Sequence, residues 1–97
     1  MGELLDFAAS AAEKLGTPPE VLTALPVIEL TGDRAFMLEQ HRGILSYTDR
    51  AVRIAVNIGC VCVTGSRLSV RVMNGRKIIL CGRVDAVTFE RQPYDGT

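Results

Sequence analysis

The feature that most constrains this chain is a period of two running through its second half. "AVRIAVNI" puts Val52, Ile54, Val56 and Ile58 on one face and Ala51, Arg53, Ala55 and Asn57 on the other. "RLSVRV" does the same with Leu68, Val70 and Val72 opposite Arg67, Ser69 and Arg71. Successive side chains alternate in this way only on a strand, so the segment is committed to β structure with one buried face. The period begins at Val27, where Ile28 and Leu30 alternate with polar neighbours up to the turn "TGD". "AFMLEQ" and "GILSYT" read as short strands flanking the tight connection "HRG", and "KIILCG" and "RVDAVTFE" finish the set. Asn74-Gly75 predicts a hairpin turn of type I′, which needs positive φ at both positions. The expectation is an antiparallel meander of about seven or eight short strands, as a small sandwich or roll. A faint echo, "IELTG", "VCVTG" and "IILCG", each closing on a glycine, keeps a small β-solenoid as the alternative.

Ahead of these strands the pattern is helical. "ELLDFAASAAEKLG" spaces Leu4, Phe7, Ala11 and Leu15 at helical intervals, with Gly16 as a stop. "TPPEVLTALP" opens with Thr17 as N-cap, Pro18 at the first helical position and Glu20 to complete a capping box. The chain therefore reads as one domain over residues 1–97, with an N-terminal helical segment at 1–26, a β domain at 27–90 and a mobile tail at 91–97. No apolar run approaches the roughly 18 residues of a membrane span. Acidic residues near the start, where a secretion signal carries basic ones, predict a chain that stays in the cytoplasm.

Three cysteines, two of them in "GCVCV", raise the question of a metal or redox centre. Structural zinc normally separates paired ligands by two residues at a turn, whereas Cys60 and Cys62 are separated by one, within a strand pattern. A site of Cys60, Cys62, Cys81 and His41 is geometrically conceivable, and a small metal- or redox-responsive protein is the alternative function. Packing is the ordinary fate of free cysteines. His41 is the one histidine, and no phosphate-loop, dinucleotide, zincin or nucleophile-elbow motif accompanies it. No catalytic, cofactor or metal residue is therefore assigned.

Net charge is zero but uneven: residues 1–33 hold six acids against Lys14, and residues 34–97 hold ten bases against five acids. Few aromatics and no recognition motif argue against nucleic acid as the partner of these arginines. If Val61 and Val63 join Ile54, Val56, Val70 and Leu80 in the core, the cysteines point the other way. That second face would carry Ala51, Arg53, Ala55, Cys60, Cys62, Arg71, Ile79 and Cys81, a small semi-apolar surface expected to be covered by the N-terminal helices or by a partner.

The order of these elements also resembles a known family. The carriers are Pro26, Ile28, Leu30 and Gly32; "EQHRGILSYT" with Glu39, His41, Gly43, Ile44 and Tyr47; "VRI" at 52–54; Val63, Gly65, Leu68 and Val70; and the closing "LCGRVDAVTF". Together they are similar to the YabP/YqfC family of small sporulation proteins, nearer its YqfC branch, over about residues 17–90. The resemblance implies a non-enzymatic protein of endospore-forming bacteria, working in the mother-cell cytoplasm during spore development. It further implies an interaction or scaffolding role, through self-association or with a membrane-associated sporulation protein. It supplies no catalytic residues. The cysteines depart from the family pattern.

Overall fold

The computed structural model describes residues 25–91. They form one antiparallel sheet of six strands: β1 (Val27–Thr31), β2 (Ala35–Glu39), β3 (Ile44–Tyr47), β4 (Ala51–Val56), β5 (Gly59–Met73) and β6 (Lys77–Arg91). Their order across the sheet is β1-β2-β6-β5-β4-β3. This corrects the expected architecture. Instead of seven or eight short strands in meander order, or solenoid coils, there is a single six-stranded sheet organised on two 15-residue strands. The described residues contain no helix, and none long and apolar enough to cross a membrane. Of the helical segment expected at 1–26 and the tail expected at 91–97, residues 1–24 and 92–97 lie outside the described residues, while Arg91 closes β6.

The over-count has one cause. Gly65 and Gly82 read as turn glycines, but each sits inside a continuous strand. The β5–β6 hairpin does not run straight. On a straight strand at about 3.3 Å per residue, Cys60 and Met73 would lie about 43 Å apart. Yet the link from β2 to β3 touches both ends. The Gln40 amide donates to the Arg76 carbonyl beyond Met73 (2.7 Å), and the Arg42 amide donates to the carbonyl of Ala55, the partner of Cys60 (2.7 Å). Gln40 and Arg42 can be no more than about 7 Å apart. The hairpin therefore folds back on itself, and its two halves face one another.

The bend lies where the register shifts, between Thr64 and Ser69 on β5 and between Cys81 and Ala86 on β6. Here the two backbones press together reciprocally. A Cβ on Gly65 would run into the Arg83 carbonyl, and one on Gly82 into the Arg67 carbonyl. Gly82 also holds φ +136°, a conformation that side chains resist. Backbone amides freed by the bend are taken up by the two hairpin turns. Gly82 and Val84 donate to Arg34 (3.2 Å) and Asp33 (2.7 Å) in the β1–β2 turn. Gly65 and Leu68 donate to Arg50 (2.9 Å) and Asp49 (2.8 Å) in the β3–β4 turn.

The two turns match in sequence, Thr-Gly-Asp-Arg-Ala at 31–35 and Thr-Asp-Arg-Ala at 48–51. The strand order reads the same from either end if β1 exchanges with β3, β2 with β4, and β6 with β5. The fold is an internal pseudo-two-fold about the bend. Each half contributes a hairpin laid against one half of the long ribbon. This also accounts for the echo "VCVTG" and "IILCG", whose final glycines are the two bend positions.

Each half presents its apolar face inward. Phe36, Leu38, Ile78 and Leu80 from one half meet Val52, Ile54, Val56, Val61 and Val63 from the other, with Leu68 and Val84 at the bend, in one buried cluster. No polar side chain is buried among them. Ile28, Ile44, Val70 and Val87 pack at its margin. Val72 departs from the expected alternation. Arg71 is an extra residue in the ladder, so Val72 pairs with Ile79 and stays exposed.

Two local details lock the closure. Asn74 and Gly75 do not take positive φ, contrary to the expected type I′ turn. A three-residue loop forms instead, with Asn74 Oδ1 accepting from the amides of Arg76 and Lys77 (2.8 Å each). His41 then ties the link to this loop. The Gly43 amide donates to its Nδ1 (2.9 Å), so the proton sits on Nε2, which donates to the Asn74 carbonyl (2.7 Å).

Three substitutions test this closure, each read as a urea midpoint at unchanged m-value. Gly82→Ala combines a strained φ with a backbone clash and should cost about 3 kcal/mol. Gly75→Ala meets open space and should change stability by under about 0.5 kcal/mol. His41→Ala should cost about 1 kcal/mol, since it removes one hydrogen bond to Asn74 and strands the Gly43 amide.

Candidate interaction face and open edge

The fold-back distributes the expected second-face residues over two outward surfaces. Ala51, Arg53, Ala55, Cys60 and Cys62 share the outer face of the β4–β5 half, paired across strands as Arg53 with Cys62 and Ala55 with Cys60. Ile79 and Cys81 lie on the outer face of the other half, and Arg71 joins them there through a hydrogen bond to Ser69, the partner of Cys81. The first group carries the stronger local chemistry. Arg53 reaches diagonally across β5 to Glu90 at 2.5 Å, passing beside the Cys60 thiol. The hydrogen bond and charge of Glu90 raise the Arg53 pKa, so the guanidinium stays fully charged. Cys60 is only 6% exposed although it faces outward. Its thiol turns to the Val61 carbonyl at 3.7 Å.

The cysteines are all free, with Cys60 and Cys62 on one outward face and Cys81 on the other. His41 is held in the β2–β3 link by its two hydrogen bonds. Among the described residues no group of three or more His, Cys, Asp and Glu side chains is placed to hold a metal ion. The four ligands considered from sequence therefore are not gathered at one point.

A feature that the sequence reading did not single out is the free edge of β6. β2 pairs with β6 only from Lys77 to Cys81, and the β1–β2 turn takes the amides of Gly82 and Val84. From Ala86 to Arg91 the strand is paired on one side by β5, and among the described residues no strand pairs with its other side. The middle of this edge, Ala86-Val87-Thr88-Phe89, has no charge, no proline and no glycine. Charge appears only at the flanks, in Asp85, Glu90 and Arg91. Phe89 sits opposite Val61 on the core side of the sheet, yet its ring is 54% exposed. Sheet edges are normally blunted by lysine, proline, bulges or cover, and the centre of this one has none of those side-chain devices. The signal available in the sequence was the uncharged run "AVTF" near the end of the last strand, which alternation alone assigns to an ordinary paired strand.

Comparison with known proteins places this geometry in a lineage. A family model described as the YabP family matches residues 25–95. The chain is 29% identical over 75 residues to the "Uncharacterized protein YqfC" of Bacillus subtilis (strain 168), covering 77% of this chain and 81% of that protein. No solved structure matches. The matched region takes in every strand, both bend glycines and the two Asp-Arg-Ala turns, and the chain belongs to the YabP family.

Proposed function

We propose that this protein is a non-enzymatic interaction module of the sporulation programme. It acts in the mother-cell cytoplasm by accepting an added strand at the open edge of β6. The added strand comes from a second copy of the chain or from a membrane-associated sporulation protein. The sporulation context rests on the family. The mode of action rests on the edge: backbone amides and carbonyls along Ala86–Arg91 that no described strand pairs are a ready template for another extended segment. Main-chain hydrogen bonds would supply affinity there, and alternate side chains such as Val87 and Phe89 would supply selectivity. The Arg53–Glu90 pair spans the outer face near the end of this strand, where Glu90 pairs with Cys60.

The experiment is solution mass by light scattering, followed by co-purification from sporulating cells, for the native chain and for Phe89→Lys. Phe89 is half exposed, so the lysine should leave the thermal midpoint within a few degrees while placing a charge against any incoming strand. The native chain should run above its 10.5 kDa monomer mass, or retain a specific partner, and Phe89→Lys should abolish that association. A native chain that is strictly monomeric and retains no partner would overturn the proposal. So would association that persists unchanged in a folded Phe89→Lys variant.

A further inference from the structure

The outside of the bend carries a second feature, independent of the edge. Three arginines from three separate segments converge on a cleft of about 500 Å³: Arg34 from the β1–β2 turn, Arg67 from the β5 bend and Arg83 from the β6 bend. Ser66 and the bare backbone of Gly82 also line it, and among the described residues no carboxylate contributes to it. Asp33 and Asp85 lie just outside. Their contacts to Arg34 and Arg83 are long, 3.5 and 3.6 Å, and exposed, so they tie up little of either guanidinium. Among the described residues Arg67 has no ion pair at all.

Arg67 also has an unusual backbone, as one of two non-glycine residues with positive φ among those described, the other being Gln40. It holds φ +54°, a conformation in which non-glycine residues are uncommon, directly opposite Gly82. An asparagine or glycine would sit there with less strain. Strained backbone persists where surrounding structure over-determines it, and it concentrates at functional positions. The bend's geometry brings a planar, permanently charged fork to the mouth of a cleft already flanked by two more. Guanidinium forks match the oxygen spacing of phosphate in two-point hydrogen bonding.

We infer that this cleft binds a phosphate-bearing anion, with Arg67 as its central ligand, Arg34 and Arg83 as flanking charges, and the Ser66 hydroxyl as a neutral donor. Phosphate on a small molecule and phosphate in a lipid headgroup present the same chemistry here. The test separates them.

Inorganic phosphate is titrated into the folded chain at constant ionic strength while backbone amide resonances are followed. Saturable shifts should centre on Ser66, Arg67, Gly82 and Arg83. Arg67→Gln should weaken the fitted affinity at least tenfold, with Arg67→Lys in between. Arg42→Gln, a basic residue elsewhere on the surface, should leave it unchanged. If Arg67→Gln does not fold, Arg83→Gln should still weaken binding severalfold. A parallel flotation assay uses phosphatidylcholine vesicles with and without phosphatidylglycerol. Retention that requires phosphatidylglycerol and is reversed by free phosphate assigns the site to a headgroup. Phosphate shifts without vesicle retention assign it to a soluble ligand. The inference is overturned if these amides do not shift, or if Arg42→Gln weakens binding as much as Arg67→Gln.

Discussion

The close crossing of two backbones at Gly65 and Gly82 is the contact on which the rest of the molecule depends. Each glycine leaves room for the other strand's carbonyl, Arg83 over Gly65 and Arg67 over Gly82. Without that approach β5 and β6 would form a straight ribbon, and the inward residues of its two ends would never meet. Phe36, Leu38, Ile78 and Leu80 would then face water instead of Val52, Ile54, Val61 and Val63. A one-sided sheet of this size cannot bury enough apolar surface alone, so the bend is what turns two exposed faces into one core. The turns at Asp33–Arg34 and Asp49–Arg50 complete it by accepting four amides that would otherwise be stranded.

The same crossing sets where the molecule is open. β2 follows β6 only as far as Cys81, and β4 follows β5 only as far as Thr64, because beyond those points the long strands have bent away. Among the described residues each long strand is thus flanked by a second strand along only part of its length. On β6 the part left open includes the uncharged Ala86–Phe89 segment. On the convex side the bend gathers Arg34, Arg67 and Arg83 around one cleft. Edge and cleft are both consequences of a single backbone geometry, one suited to another extended chain and the other to an anion.

Much of this was legible from residue order. Alternation put Ile54, Val56, Val61, Val63 and Leu80 in the core and set the cysteines on the opposite side, and both placements describe the sheet. Strand count and topology were not legible. A glycine between two apolar runs marks a turn or a bend equally well. What decides is whether distant groups can satisfy the amides it frees, and those groups sit in turns 15 or more residues away. The repeated Asp-Arg-Ala was the overlooked clue, since matching turns imply matching partners. Alternation also gives no warning of an extra residue such as Arg71, which moved Val72 off the core face. Nor does it reveal a long-range bridge such as Arg53 to Glu90, beside which the outward-facing Cys60 is buried.

The most direct test of the folded-back sheet is a methyl and aromatic NOE spectrum of the native chain. The account predicts cross-peaks between the set Phe36, Leu38, Ile78 and Leu80 and the set Val52, Ile54, Val61 and Val63, which belong to opposite halves of the ribbon. Intact cross-strand NOEs within each half, with none between the two sets, would contradict it.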